Sequence, residues 1–233
     1  MPFNFKQFSV TDDRSTMKVG TDAVLLGAWA NVDNMDSILD IGTGSGVIAL
    51  MLAQRSEVFV EAIDVDSDSI NQAEVNFNNS PWKNRLKLYL NTVQKHARIA
   101  HIHYSLIVCN PPYFADHLKS ENEKRNLARH ADKLSFKDLA FSVSLLLTKE
   151  GRFCIILPVD QSDKFRQIAL NNDLYCVKRT YVYSKPDVDP IRVLSDFQFT
   201  KLPIETSSIV LRNTDDSYTD EYKNLTKDFY LNF

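Results

Sequence analysis

From about residue 37 onward, short apolar runs alternate with stretches of helical periodicity. That rhythm predicts βα units wound around a parallel sheet. Residues 37–41, 58–64, 86–90, 104–109 and 152–157 read as strands. Between them, Val47, Ile48, Leu50, Met51 and Leu52 recur at helical spacing, and Ile70, Ala73 and Phe77 mark one face of a helix over 67–79. Ser135 and Asp138 form a capping-box pattern that opens a helix over 135–147, with Gly151 as its stop. Residues 160–171 read as a further helix. After that the alternation ends. Runs at 174–183, 193–200 and 207–212 read as strands without long helices between them, which predicts an antiparallel edge on the parallel sheet. Tyr222, Leu225, Phe229 and Tyr230 predict a docking helix in the charged tail, 218–233.

Composition narrows the class. The 233 residues are 44% hydrophobic, enough for one sizeable core. No apolar stretch reaches the roughly 18 residues that span a bilayer, and no basic-then-apolar leader opens the chain. Cys109, Cys154 and Cys176 make no CxxC pair, which argues against a structural zinc site or a disulfide framework and fits the cytoplasm. The net charge of −3 advertises no nucleic-acid partner. Glycine is more informative. There are six in all, and three are packed into Gly42-Thr43-Gly44-Ser45-Gly46, where backbone is expected to approach something closely.

Three motifs carry candidate chemistry. Leu39-Asp40-Ile41 runs as a strand into the glycine loop and then a helix, the place where doubly wound sheets bind ligands. The spacing is neither G-x-G-x-x-G nor a P-loop, because Val47 follows Gly46 and no Gly-Lys-Ser/Thr occurs there. It is the G-x-G-x-G pattern of S-adenosylmethionine (AdoMet) enzymes; a tight βα turn without a ligand is the plainer alternative. Asp64 closes the next strand, about 20 residues beyond the loop, placed to accept both ribose hydroxyls. Nearby Asp66 could simply cap the following helix. The third motif, Asn110-Pro111-Pro112-Tyr113, ends the strand at 104–109. Two prolines remove two N–H donors and stiffen the strand end. The Asn110 side-chain oxygen and the Pro111 carbonyl then remain as acceptors for the two hydrogens of a planar NH₂, with Tyr113 as a stacking face. An N-P-P turn is the alternative here.

The D-x-G-x-G-x-G and N-P-P-Y pair resembles class I AdoMet-dependent methyltransferases acting on planar nitrogens. Lys18 through Trp29, Phe5 through Phe8, and the tail around Tyr218–Tyr222 and Asp228–Leu231 are similar to bacterial tRNA1(Val) adenine N6-methyltransferases. The resemblance implies an α/β, Rossmann-like doubly wound sheet of seven strands, mostly parallel with an antiparallel C-terminal edge strand. It implies one domain, with residues 1–36 as a substrate and cofactor lid, 37–212 as core and 213–233 as a docking segment. It implies AdoMet as cofactor, bordered by Lys18, Gly20, Thr21 and Asp22, floored by Asp40, Gly42, Gly44 and Gly46, and held at the ribose by Asp64. Asn91 stands where such enzymes often carry an Asp near the adenine. Asn110, Pro111, Pro112 and Tyr113 become the catalytic set. The substrate becomes the adenosine 3′ of the anticodon in a valine tRNA.

Charge distribution bears on that substrate. Residues 117–137 hold six basic residues against three acidic ones, so the acidic average conceals a basic stretch after the N-P-P-Y motif. Lys119, Lys124, Arg125, Arg129 and Lys133 are candidate RNA contacts there, and Arg192, with Lys178, Arg179 and Lys185, forms a second candidate patch. A solvated helix face is the alternative. The five histidines lie between 96 and 130 without metal-ligand spacing and read as surface or RNA-contact residues; no metal is expected. Cys109 reads as a buried, inert thiol. A monomer is expected. A protein glutamine N5-methyltransferase and a non-catalytic AdoMet-binding module are the rival functions. The former carries a separate helical domain before the glycine loop, for which the 39 residues ahead of Asp40 are too few.

Overall fold

The computed structural model describes residues 2–13, 18–111 and 134–232. Its strands are β1 (Phe3–Asn4), β2 (Ser9–Val10), β3 (Ser37–Ile41), β4 (Phe59–Asp64), β5 (Leu86–Leu90), β6 (Tyr104–Cys109), β7 (Leu147–Leu157), β8 (Tyr175–Tyr183), β9 (Arg192–Gln198) and β10 (Glu205–Val210). Its helices are α1 (Thr21–Trp29), α2 (Val47–Arg55), α3 (Ser67–Asn78), α4 (Val93–Ile99), α5 (Phe136–Leu146), α6 (Val159–Ala169) and α7 (Asp220–Thr226). β1 and β2 pair as a small antiparallel ribbon. The other strands form one sheet in the order β10-β8-β9-β7-β6-β3-β4-β5.

The sheet corrects two details of the sequence reading. It has eight strands rather than seven, and the antiparallel strand is not the edge. β9 runs antiparallel to both β7 and β8, while the outer strand β10 pairs parallel to β8. β9 thus slots between two strands of the opposite sense. The loop from β9 to β10 carries the chain back across the sheet end, so that β10 starts at the same end as β8.

Strand parity builds two cores, as expected of a sheet buried on both faces. Ile38, Val60, Leu106, Val108, Cys154, Ile156 and Leu194 face α1 and α2. Leu39, Ile41, Ile63, Ile107, Cys109, Phe153, Ile155 and Phe197 face α5 and α6. Ser135 caps α5, its hydroxyl accepting the Asp138 N–H at 3.1 Å. Gly151 does not stop that helix. α5 ends at Leu146 and passes straight into β7, where Gly151 lies within a register jump opposite Ser105. A Cβ there would approach Leu147 and Thr148 side-chain atoms to 2.8 Å, so packing rather than helix termination requires the glycine. The tail helix is shorter than the stretch predicted, and its segment locks onto the N-terminal ribbon: the Lys6 N–H donates to the Phe229 carbonyl at 2.8 Å, and Phe5 and Tyr230 form a bridge.

Candidate active site

The site forms where β3, β4 and β6 end. Gly42, Gly44 and Gly46 have φ of 72°, 56° and 83°, a region other residues adopt only under strain. The Gly42 and Thr43 N–H groups both donate to the Ile63 carbonyl, at 2.9 and 3.1 Å, so the loop hangs from the end of β4. The glycines serve different ends. A Cβ on Gly46 would lie 2.5 Å from a Phe77 ring carbon, so this glycine permits α2 and α3 to close. A Cβ on Gly42 would meet nothing within 4 Å, so this glycine keeps space open above the loop.

Two carboxylates frame that space. Asp64 accepts the Gly44 N–H on one oxygen (2.9 Å) and the Asp66 N–H on the other (3.0 Å). Each oxygen keeps a lone pair, which suits a vicinal diol. Asp66 is a cap: it accepts the Ser69 N–H at 3.0 Å and the Ser69 hydroxyl at 2.7 Å. Asp40 lies beneath the loop, fully buried. One of its oxygens accepts the Thr43 hydroxyl at 2.7 Å, the Ala49 backbone also favours the charged carboxyl, and the other oxygen has no hydrogen-bond partner among the described residues. Burial pushes its carboxyl up to about 7, against the Thr43 bond that lowers it and with the Asp64 charge adding to the rise. Burial likewise pushes the Cys109 thiol up, and Cys109 is a core residue of β6.

Next to Asp64, the Asn91 N–H donates to the Asp64 carbonyl at 2.9 Å, while the Asn91 side-chain oxygen accepts the Thr92 N–H at 3.0 Å. Val65 and Leu90 flank this point and are 59% and 58% exposed. Sequence reasoning missed both. The available signal was an apolar residue directly following a strand-ending aspartate, and another directly preceding Asn91. Open space over Gly42, a diol-ready carboxylate and two apolar faces at its side together fit a nucleoside cofactor.

Asn110 follows β6, and its side-chain oxygen is buried with no hydrogen-bond partner among the described residues. It lines a cleft of about 330 Å³ together with Lys18, Gly20, Thr21 and Asp22 on one side and Ile191 and Arg192 on the other. The structure therefore brings the N-terminal signature and the N-P-P-Y strand end together, although they are far apart in sequence. Pro111 is described and buried. Pro112 and Tyr113 lie outside the described residues, as do Lys119, Lys124, Arg125, Arg129 and Lys133.

The second basic patch is not a row of uncompensated cations. Arg192 meets Asp22 at 2.9 Å, Lys178 meets Glu205 at 3.1 Å, and Arg179 and Lys185 each meet a carboxylate at 2.8 Å, those of Asp163 and Asp216. The placement of His96 is also a correction. It is buried against β6, its ring nitrogen 2.8 Å from the Tyr104 hydroxyl, which donates to Glu61 at 2.6 Å. It belongs to the core because α4, unpredicted, turns it inward. Among the described residues, no group of three His, Cys, Asp or Glu side chains is gathered as metal ligands would be.

Comparison with known proteins adds an independent view. The family model of the "Methyltransferase small domain" matches residues 15–138. A tRNA1(Val) (adenine(37)-N6)-methyltransferase of Phocaeicola vulgatus is 43% identical over 230 residues, covering 99% of this chain and 97% of that protein. A protein of the same name from Flavobacterium psychrophilum is 44% identical over 231 residues, covering 98% and 99%. Among solved structures, a predicted O-methyltransferase of Agrobacterium tumefaciens superposes with a TM-score of 0.71 at 17% identity, covering 89% of this chain and 96% of that one. The glycopeptide N-methyltransferase MtfA, solved with AdoMet, gives 0.59 at 11% identity over 80% and 96% of the two chains. These structural likenesses establish the class I methyltransferase fold.

Proposed function

The chain belongs to the tRNA1(Val) (adenine(37)-N6)-methyltransferase family, and from that footing we propose that it transfers the methyl group of AdoMet to the exocyclic N6 of adenosine 37 in tRNA1(Val), in the cytoplasm. The observation that carries the reading is the buried Asn110 side-chain oxygen, without a donor among the described residues and lining one cleft with Lys18, Gly20, Thr21 and Asp22. A buried acceptor without a donor is costly, and an adenine amino group supplies the donor.

AdoMet, when bound, supplies an electrophilic methyl. Gly42, Gly44 and Gly46 would floor its site, Asp64 would accept the ribose hydroxyls, Val65 and Leu90 would cover the adenine faces, and Asn91 would meet the adenine edge. Asn110 and the Pro111 carbonyl accept the two amino hydrogens of the target base, which turns the nitrogen lone pair out of the ring plane. The same two oxygens stabilise positive charge as it develops on that nitrogen. Pro112 stiffens the strand end and Tyr113 stacks on the base, which must be splayed out of the anticodon loop. The contribution is alignment rather than strong base catalysis. Lys119, Lys124, Arg125, Arg129, Lys133 and Arg192 contact the anticodon stem-loop phosphates, with residues 1–36 acting as lid and 213–233 as docking segment.

The test is nucleoside mass spectrometry of unmodified tRNA, a total protein extract and DNA, each incubated with the protein and labelled AdoMet. N6-methyladenosine at position 37 of tRNA1(Val) is expected. Label entering only protein, as methylated glutamine, would overturn the assignment.

A further inference from the structure

One buried amide ties the glycine loop to the N-terminal segment. Asn76 of α3 is 2% exposed, and every hydrogen-bonding position of its side chain is used. Its oxygen accepts both the N–H and the hydroxyl of Thr11, each at 2.9 Å. Its NH₂ group donates to the Thr11 carbonyl and to the Ser45 carbonyl, each at 2.8 Å. Gln72, one turn earlier on α3, adds a donor to the Thr11 hydroxyl at 2.5 Å.

Both ends of this tie lead to the site. Ser45 sits between Gly44 and Gly46, both at positive φ; the Gly46 N–H, donating to the Thr43 carbonyl at 2.9 Å, anchors one end of the Ser45–Gly46 peptide plane, and the Ser45 carbonyl is its other end. Asn76 holds it. Thr11 is followed by Asp12, whose carboxylate accepts the Val19 N–H at 2.9 Å, and the Lys18 ammonium donates to the Asp12 carbonyl at 2.8 Å. Val19 leads into Gly20, Thr21 and Asp22, which line the Asn110 cleft. A helix-capping or purely packing role would not require all four amide positions to be divided between two segments 31 and 65 residues away.

We propose that Asn76 is a positioning residue that fixes the glycine loop and the N-terminal wall of the cleft in one register, so that AdoMet and tRNA sites are built to the same reference. The inference rests on placing AdoMet over the glycine loop. An amide is the side chain for the task. It offers two donor hydrogens and two acceptor lone pairs in one plane, and an aspartate in its place would face the Thr11 and Ser45 carbonyls with oxygen.

Steady-state kinetics on the full chain, with thermal unfolding alongside, provide the test. Asn76→Asp keeps the shape and removes both donors; the KM for AdoMet is expected to rise about 10-fold and the KM for tRNA about 3-fold or more, while kcat at saturation falls by less than either. A loss of folded protein alone would lower kcat and leave both KM values in place. Thr11→Val, at a half-buried position, removes the hydroxyl that donates to Asn76 and accepts from Gln72, and is expected to raise the AdoMet KM about 3-fold with a fall in melting temperature smaller than that of Asn76→Asp. If Asn76→Asp does not fold, this second variant decides the matter. Asp64→Ala is the reference for cofactor placement. Both KM values within 2-fold of wild type in folded Asn76→Asp, or an unaltered AdoMet KM in Thr11→Val, overturns the proposal while a raised KM in Asp64→Ala leaves the cofactor placement standing. An unaltered AdoMet KM in Asp64→Ala removes the placement and the proposal with it.

Discussion

Asp22, in the first turn of α1, and Arg192, at the start of β9, form an ion pair at 2.9 Å across the mouth of the Asn110 cleft, 170 residues apart in sequence. Both side chains are about three-quarters covered, so the pair is neither a surface contact nor a desolvated core bridge. It joins the N-terminal wall to the sheet. A double-mutant cycle with Asp22→Ala and Arg192→Ala should give a coupling of about 1 kcal/mol in unfolding free energy. Arg192→Lys should recover little of it, because a lysine lacks the Nε–H that faces Asp22. Additive single-mutant effects would remove this fastening role.

The orphaned oxygen of Asn110 leads to a second expectation. Asn110→Ala should lower methylation by roughly 100-fold or more through loss of amino-group alignment. Because no described residue donates to the wild-type acceptor, the variant should not lose stability, and its melting temperature should match or exceed that of wild type. Radiolabel incorporation into tRNA and differential scanning fluorimetry check the two halves.

Gly42 and Gly46 share a positive φ but differ in what surrounds them, so alanine should separate them. Gly46→Ala places a Cβ against the Phe77 ring and should destabilise the fold by about 2–4 kcal/mol. Gly42→Ala has open space and should cost only the backbone strain, about 1 kcal/mol, yet its methyl would intrude on the proposed cofactor site. Chemical denaturation should rank Gly46→Ala as the worse folder. Calorimetry with AdoMet should show Gly42→Ala binding weakly although folded.

Asp40 gives a dependence on pH. Its carboxyl titrates near 7 in the folded chain against 3.8 ordinarily, because burial disfavours the charged form. The native state therefore holds a proton that the unfolded chain releases. The stability tied to this proton is fully present below about pH 4 and is lost as pH rises toward 7. Asp40→Asn mimics the protonated form and keeps the bond from Thr43, so its melting temperature should gain on wild type steadily from pH 4 to pH 7 and then hold a constant lead. Cationic AdoMet favours the carboxylate, so its affinity for wild type should rise between pH 6 and 8 and level off above. In Asp40→Asn that slope should be absent.

The parts of this protein written locally were legible in its sequence. Apolar runs marked β3, β4 and β6, because a strand covered on both faces needs consecutive apolar residues, and alternation marked the edge strand β5, whose outer side chains stay exposed. Three glycines at positive φ marked the loop, and Asp64 and Asn110 stood at strand ends, where side chains reach a ligand. α1 escaped notice because Ala23 through Ala28 are buried all round, which erases the one-sided periodicity that announces a helix. α4 is a seven-residue helix, too short to show a period, and with it went the inward turn of His96.

What tertiary structure alone decided was who meets whom. The position of β9 between β7 and β8, the pairing of Lys178, Arg179, Lys185 and Arg192 with carboxylates, and the joining of Thr11 to Ser45 through Asn76 all depend on where distant segments come to rest on the sheet. Sequence fixes a residue's chemistry and the periodicity of its immediate neighbourhood. The partner that neutralises a charge or satisfies an amide arrives from elsewhere in the chain, and only packing selects it.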